Sequence, residues 1–241
     1  MPEPLPTPDF SVVVPFFNEA EVAGAVIDEL ATALNTQGGF WEAILVDDGS
    51  TDRTRDELSA ACARWPACRL LPLAKNQGQG AALFQGILAA RAPVIGMMDG
   101  DGQNVPADFA GLRPLLAEAD MVVGRRAQRD DSPLRRGISR LANAVRGRLL
   151  RDGLADAGCA LKVFRRPVAD GFWPFPMLNP FMPALAVAAG FRVIERPVRH
   201  RPRRTGVSKY GLGVMLGRPL YDLLAIWWLL RGRRRAVPAG R

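Results

Sequence analysis

Two carboxylates, Asp99 and Asp101, stand one residue apart in the stretch VIGMMDGDGQNVP (94–106). Val94 to Met98 is a short apolar run that reads as a buried strand, and the acidic pair follows where it ends, beside Gly100, Gly102 and Gln103. In an open α/β sheet, ligands bind outside the carboxyl ends of the strands. Two carboxylates spaced i, i+2 at such an end, freed from the pleat by glycines, can converge on one hard cation. Mg²⁺ is usually held by one or two carboxylates plus substrate phosphates, so the chemistry on offer is a metal–diphosphate platform. An ordinary turn is the competing reading, since Asp and Gly dominate turns for local reasons. The surrounding elements have to decide between them.

Those elements alternate. Phe10–Val14 reads as a strand, followed by the loop Pro15-Phe16-Phe17-Asn18-Glu19 and a helix to about Asn35, with Val22, Val26, Ile27, Leu30 and Leu34 on one face. Ala43–Val46 is a second strand, closed by Asp47-Asp48-Gly49-Ser50, and a helix runs from about Asp52 to Arg64. Arg69–Leu73 is a third strand. The loop Lys75-Asn76-Gln77-Gly78-Gln79-Gly80 then leads into a small-residue helix ending near Ala90. Pro106 is placed to open another helix, and Met121–Val123 is a fifth strand. This spacing predicts an α/β domain with a mainly parallel sheet and helices on both faces. No G-x-G-x-x-G follows the first strand, which disfavours a dinucleotide-binding domain.

Beyond Gly124 the pattern changes. Residues 132–151 predict a basic helix, Asp156–Phe164 a turn into a strand, and 167–183 an irregular proline- and aromatic-rich region over a cleft. Phe191–Val198 is the last strand, and an amphipathic helix carrying Trp227 and Trp228 ends in Arg231-Gly232-Arg233-Arg234-Arg235. The expected organisation is a Pro-rich leader (1–9), one catalytic domain (10–210) and an Arg-rich C-terminal helix and tail (211–241).

Charge follows the same division. The 241 residues carry a net charge of +8, but 124–151 hold nine arginines against two aspartates, and 196–241 hold twelve basic side chains against Asp222 alone. Such segregation implies an anionic partner: nucleic acid, a membrane surface or a phosphorylated substrate. Nothing resembles a nucleic-acid reading helix or stacking platform, and nucleic acid would leave the acidic loops unexplained. Cys62, Cys68 and Cys159 have no zinc-like spacing and form an odd set for a disulfide framework, which fits a reducing compartment. The N-terminus shows no signal peptide. The longest apolar candidate, Leu220 to Leu230, contains Asp222 and falls short of the ~18 residues a spanning helix needs. Peripheral attachment at the cytoplasmic side of a membrane is the expectation.

Five stretches in order, VVVPFFNEAE (12–21), ILVDDGSTDRT (44–54), KNQGQGAALFQGI (75–87), MMDGDGQNVP (97–106) and HRPRRTGVSKYG (200–211), together resemble family 2 glycosyltransferases of the GT-A fold. Within that family the chain is most similar to the dolichol-phosphate mannose synthase branch and its bacterial polyprenyl-phosphate relatives. The resemblance implies a nucleotide-sugar site made of Pro15, Phe17, Glu19, Val46, Asp48, Met98 and Gly100, with Asp99, Asp101 and Gln103 holding Mg²⁺ or Mn²⁺. It places Arg126 near the sugar phosphate and also, with Arg135, Ser139 and Arg140, at the acceptor phosphate, and it places Arg203 and Lys209 over the donor diphosphate. It also implies a nucleotide-sugar donor, with GDP-mannose favoured over a UDP-hexose, a polyprenyl phosphate acceptor, and a membrane-protein partner or a homo-oligomer. Relatives often carry Ala and Leu where this chain has Gly100 and Gly102, which predicts a looser metal loop.

The implied reaction agrees with the residues available. A phosphate monoester with a second pKa of ~6 is its own nucleophile at neutral pH, so no general base is required. The chain's one histidine, His200, reads as a structural donor, and Cys159 as a small buried hydrophobe. Asp156 could hold a sugar hydroxyl or position an acceptor-side arginine. With a saccharide or lipid hydroxyl as acceptor, a carboxylate such as Asp156 would instead become the base.

Overall fold

The computed structural model describes residues 7–126, 144–202 and 221–231. Its strands are β1 (Phe10–Phe16), β2 (Trp41–Asp47), β3 (Cys68–Pro72), β4 (Val94–Met97), β5 (Met121–Arg126), β6 (Lys162–Arg165) and β7 (Val193–Val198). They form one sheet in the order β3-β2-β1-β4-β6-β5-β7. β6 runs antiparallel to both β4 and β5, and all other pairings are parallel. The mainly parallel α/β expectation holds. The antiparallel β6 lies between the strand that ends in the acidic loop and the strand that ends at Arg126.

β1 and β2 bury every residue, which is why their sequences are near-continuous apolar runs and not alternating ones. One face is covered by α1 (Ala20–Gln37) and α2 (Thr54–Arg64). Val22, Val26, Ile27, Leu30 and Leu34 of α1 pack there, as their spacing predicts. The other face is covered by α3 (Gln79–Ala89), the helix Leu178–Ala188 and the helical residues 221–231. At the amino-terminal edge of the sheet, away from the acidic loop, buried Glu42 accepts from Ser11 Oγ at 2.7 Å and Arg91 N at 2.7 Å. Those bonds, with Arg69 and Arg91 beside it, outweigh the upward push of burial and hold its carboxyl below the usual range.

Several expectations need correction. Residues 167–183 are not irregular throughout, because Leu178–Ala188 is helical. Pro180 occupies the first turn, where the missing N–H costs nothing, and burial of Leu178, Phe181, Met182 and Leu185 outweighs the bond lost at Pro183. The helix expected from Pro106 is broken into a 3-10 turn (Pro106–Asp108), an α turn (Phe109–Leu112) and a second 3-10 segment (Arg113–Ala117), because Pro114 cannot continue it. Of the strand expected within 156–164, only the part from Lys162 is extended. Of the predicted basic helix, residues 144–150 are helical and the earlier part lies outside the described residues.

The helical residues 221–231 divide their apolar side chains between two directions. Leu223, Ile226 and Leu230 are buried, and Trp227 packs partly against the core with the Arg231 guanidinium 5.2 Å from its ring centre. Tyr221, Leu224 and Trp228 face outward, with Trp228 73% exposed. The two tryptophans, expected to act together, therefore face different surroundings. Among the described residues, no helix is long and apolar enough to cross a membrane.

Candidate active site

The loops that follow β1 and β2 are stitched together before any ligand is considered. Asn18, in the left-handed region at φ 53°, accepts from Thr51 N at 2.8 Å, and its own N–H donates to Ser50 Oγ at 3.1 Å. Glu19 N donates to Thr54 Oγ1 at 2.8 Å, and Asp52 ties the starts of the two helices together, accepting from Thr54 N at 3.0 Å and Ala20 N at 3.3 Å. The next loop is pulled in by Asp48, which accepts from Gln77 N at 2.8 Å and Gly78 N at 2.9 Å. Burial raises the Asp48 pKa, and the neighbouring charge of Asp47 adds to that rise against the pull of these two N–H groups. Gly49 is obligatory here: a Cβ on it would lie 2.4 Å from the Lys75 carbonyl carbon.

One residue further on, α3 reaches the acidic loop. Gln79 Nε2 donates to Asp99 Oδ1 at 2.6 Å. The loop is braced on its other side as well. Asp99 N donates to Asn104 Oδ1 at 2.9 Å, and Gln103 N to Asp101 Oδ1 at 3.1 Å. Gln103 also exchanges two bonds with the backbone of Arg201, at 2.9 Å and 3.2 Å, and Asn104 forms a β-bridge with His200. Arg201 is fixed in turn by a bidentate pair with Glu29 of α1, both bonds 2.8 Å. The expected loosening at Gly100 is not what the structure shows. The Phe16 ring occupies the space a side chain would take, 2.5 Å from the position of an added Cβ, so the glycine is packed shut.

Burial and the charge of Asp101 push the Asp99 carboxyl up to about 7, against the pull of Lys162, Gln79 and Arg126. Two carboxylates held this close are relieved by a cation. Among the described residues, no cluster of three or more His, Cys, Asp or Glu side chains is placed to hold a metal. A two-carboxylate seat fits a hard divalent ion that completes its shell with substrate phosphate and water.

Across β6 stands Arg126. Its Nε and Nη2 meet Asp156 Oδ2 and Oδ1 at 2.8 Å and 2.7 Å, and its N–H donates to Oδ2 at 3.1 Å. Asp156 is buried, and Glu195 of β7 fixes its backbone by accepting from Asp156 N at 2.7 Å and Ala155 N at 3.0 Å. Asp156 is thus paired with Arg126 through both of its oxygens. Cys159 is buried as expected, and burial raises its thiol pKa.

The structure brings Asp48, Asp99, Asp101, Gln103 and Arg126 to one end of the sheet, with Phe17 and Glu19 partly exposed on the first loop. Pro15, Val46 and Met98 are buried. The side chains of Val46 and Met98 belong to the core. Arg135, Ser139, Arg140, Arg203 and Lys209 lie outside the described residues. Sequence reasoning overlooked Gln79 and Lys162. The second had a signal: a lone lysine in the apolar run CALKVF, in a chain with three lysines in all.

The family model for Glycosyl transferase family 2 matches residues 11–173. A dodecaprenyl-phosphate galacturonate synthase from Rhizobium johnstonii is 37% identical over 239 residues, spanning 97% of this chain and 70% of the relative. An undecaprenyl-phosphate 4-deoxy-4-formamido-L-arabinose transferase from Edwardsiella ictaluri is 34% identical over 217 residues, 89% of this chain and 66% of the relative. Among solved structures, glucosyl-3-phosphoglycerate synthase from Mycobacterium tuberculosis, in complex with Mn²⁺, UDP and product, superposes with a TM-score of 0.68 at 18% identity, over 93% of this chain and 80% of that one. A mannosyltransferase from Pyrobaculum calidifontis with GDP-Man and Mn²⁺ gives 0.63 at 19%, over 100% and 67%. The last two comparisons speak to the fold alone. On the family match and the two relatives, the chain belongs to glycosyl transferase family 2.

Proposed function

We propose that this protein transfers a sugar from a nucleotide-diphosphate donor to a polyprenyl phosphate, with inversion, at a membrane surface. The observation that carries the choice of acceptor is the Arg126–Asp156 pair. A carboxylate that gives both oxygens to a guanidinium is committed to that pair and not aimed at an acceptor hydroxyl, and the pairing holds the arginine in one orientation at this end of the sheet. A hydroxyl acceptor needs a base; a phosphate acceptor needs a cation. The acceptor phosphate oxygen forms the bond to the anomeric carbon as the bond to the diphosphate oxygen breaks, and the nucleoside diphosphate departs.

In this reading Asp99 and Asp101 hold a divalent cation, with Gln103 as the third member of that seat. Mg²⁺ or Mn²⁺ bound there supplies stabilisation of charge on the leaving diphosphate. Asp48 orders the Gln77–Gly78 turn beside the base-binding loop, and Gln79 keeps the Asp99 carboxylate in one orientation. Arg203 and Lys209 close the donor side, and Arg135, Ser139 and Arg140 meet the acceptor. The outward stripe of Tyr221, Leu224 and Trp228 is the surface offered to lipid headgroups.

The two relatives that match most of the chain are named for galacturonate and 4-deoxy-4-formamido-L-arabinose, and neither name supports mannose. A hexuronate therefore stands first in the donor panel and GDP-mannose, expected from the motif resemblance, second. The test is incubation with Mg²⁺ or Mn²⁺, polyprenyl phosphate in detergent and a panel of UDP- and GDP-sugars, reading the mass of the lipid product. Transfer to a saccharide hydroxyl with none to lipid phosphate contradicts the proposal.

A further inference from the structure

Lys162 is fully buried, an unusual place for a lysine, because a desolvated ammonium is costly unless paired. Its Nζ donates to the Cys159 carbonyl and to Asn179 Oδ1 of the helix Leu178–Ala188. Both acceptors are neutral. Among the described residues, no carboxylate forms an ion pair with it, so its charge is solvated by dipoles and not cancelled. Burial pulls its pKa down to about 8, against the opposing influence of Cys159, Asp99 and Asp156.

Its place in the sheet gives that charge a target. Lys162 opens β6, where its Cα partners are Met97 of β4 and Val123 of β5. Met97 lies two residues before Asp99, and Val123 three before Arg126. The one antiparallel strand thus carries a cation between the acidic loop and the Arg126–Asp156 pair. A structural lysine would gain from direct carboxylate contact, and Asn179 in place of an aspartate withholds it.

We infer that Lys162 is a positioning residue for the transfer reaction: a buried cation, left uncancelled by its neutral partner Asn179, that sets the field shared by the Asp99–Asp101 seat and Arg126. The inference rests on the cation seat and the transfer reaction proposed above. A positive charge on the strand beside the acidic loop repels a divalent ion seated there, so Lys162 loosens the cation's hold. The same charge stabilises the diphosphate as it gains charge. Weaker cation affinity and faster turnover are therefore coupled outcomes of one residue.

Lys162→Met removes the charge, and Asn179→Asp neutralises it with a nearly isosteric side chain. Mn²⁺ affinity is read by electron paramagnetic resonance on the purified full chain, and kcat from transfer to polyprenyl phosphate. In both variants Mn²⁺ should bind several-fold more tightly while kcat falls roughly tenfold to a hundredfold. Loss of both together marks a packing role and overturns the inference, as does a kcat within threefold of wild type or an unchanged Mn²⁺ affinity. If Lys162→Met does not fold, Asn179→Asp decides. Should wild type transfer sugar to no acceptor, the proposed function fails, and the Mn²⁺ measurement still judges Lys162.

Discussion

Arg126 and Asp156 form a two-bond pair of 2.8 Å and 2.7 Å that joins the end of β5 to the loop before β6, with Glu195 anchoring the aspartate from β7. Arg126 is thus held from behind by a buried carboxylate.

Asp156→Asn keeps the shape but exchanges a charge-assisted pair for a neutral bond. Turnover should fall by roughly one to two orders of magnitude with donor affinity unchanged, since the arginine loses its orientation and not its charge. Asp156→Ala strands Arg126 and should cost about 3 kcal/mol of stability, visible in urea unfolding. Complete loss of turnover in Asp156→Asn, with donor binding intact, would favour the hydroxyl-acceptor chemistry instead.

Gly100→Ala places a methyl group against the Phe16 ring. Overpacking of this kind typically costs about 1–3 kcal/mol. Phe16→Leu in the same chain relieves the ring contact but not the Pro15 carbonyl oxygen, 2.8 Å from an added Cβ, and should restore part of the stability and of the Mn²⁺ affinity. A Gly100→Ala variant as stable as wild type would show that the loop has slack after all.

Much of this site was legible in the sequence because its parts are local. Strand, turn and helix signals recur in order, and Asp48, Asp99 and Asp101 fall at strand ends where apolar runs stop. The Gln79–Asp99 bond, the Glu29–Arg201 brace and the Phe16 ring over Gly100 join residues far apart in the chain, and no periodicity encodes them. β6 escaped full notice because four residues between two strands carry little pattern of their own. Pro183 pointed away from a helix that burial nevertheless secures.

Lys162 also predicts a pH dependence of stability. Its native pKa of about 8 lies below the 10.5 of an unperturbed lysine. Below about 8 both native and unfolded chains hold the proton, and the cost of burying the charge is fully present. Between the two values the unfolded chain binds more protons, so unfolding free energy rises with pH. Other groups titrate in the same window, so the comparison is with Lys162→Met. Relative to that variant, wild type should gain on the order of 3 kcal/mol between pH 8 and 10.5. A constant difference across the window would contradict the buried cation.

The exposed stripe of the helical residues 221–231 can be tested without the reaction. Replacing Leu224 and Trp228 with Ser removes apolar surface from the outward face and leaves Leu223, Ile226 and Leu230 packed. Co-sedimentation with vesicles containing anionic lipid should fall about tenfold, with thermal stability unchanged. Unchanged sedimentation would assign the stripe to another contact.

The most direct measurement is single-turnover transfer from a labelled nucleotide sugar to polyprenyl phosphate, compared between wild type and Asp101→Asn across a divalent-ion titration. The account predicts a lipid-phosphate sugar product that depends on Mg²⁺ or Mn²⁺, and at least a hundredfold loss (~10²) in the variant that added ion does not restore. Undiminished transfer by Asp101→Asn, or transfer unaffected by chelating the ion, would contradict it.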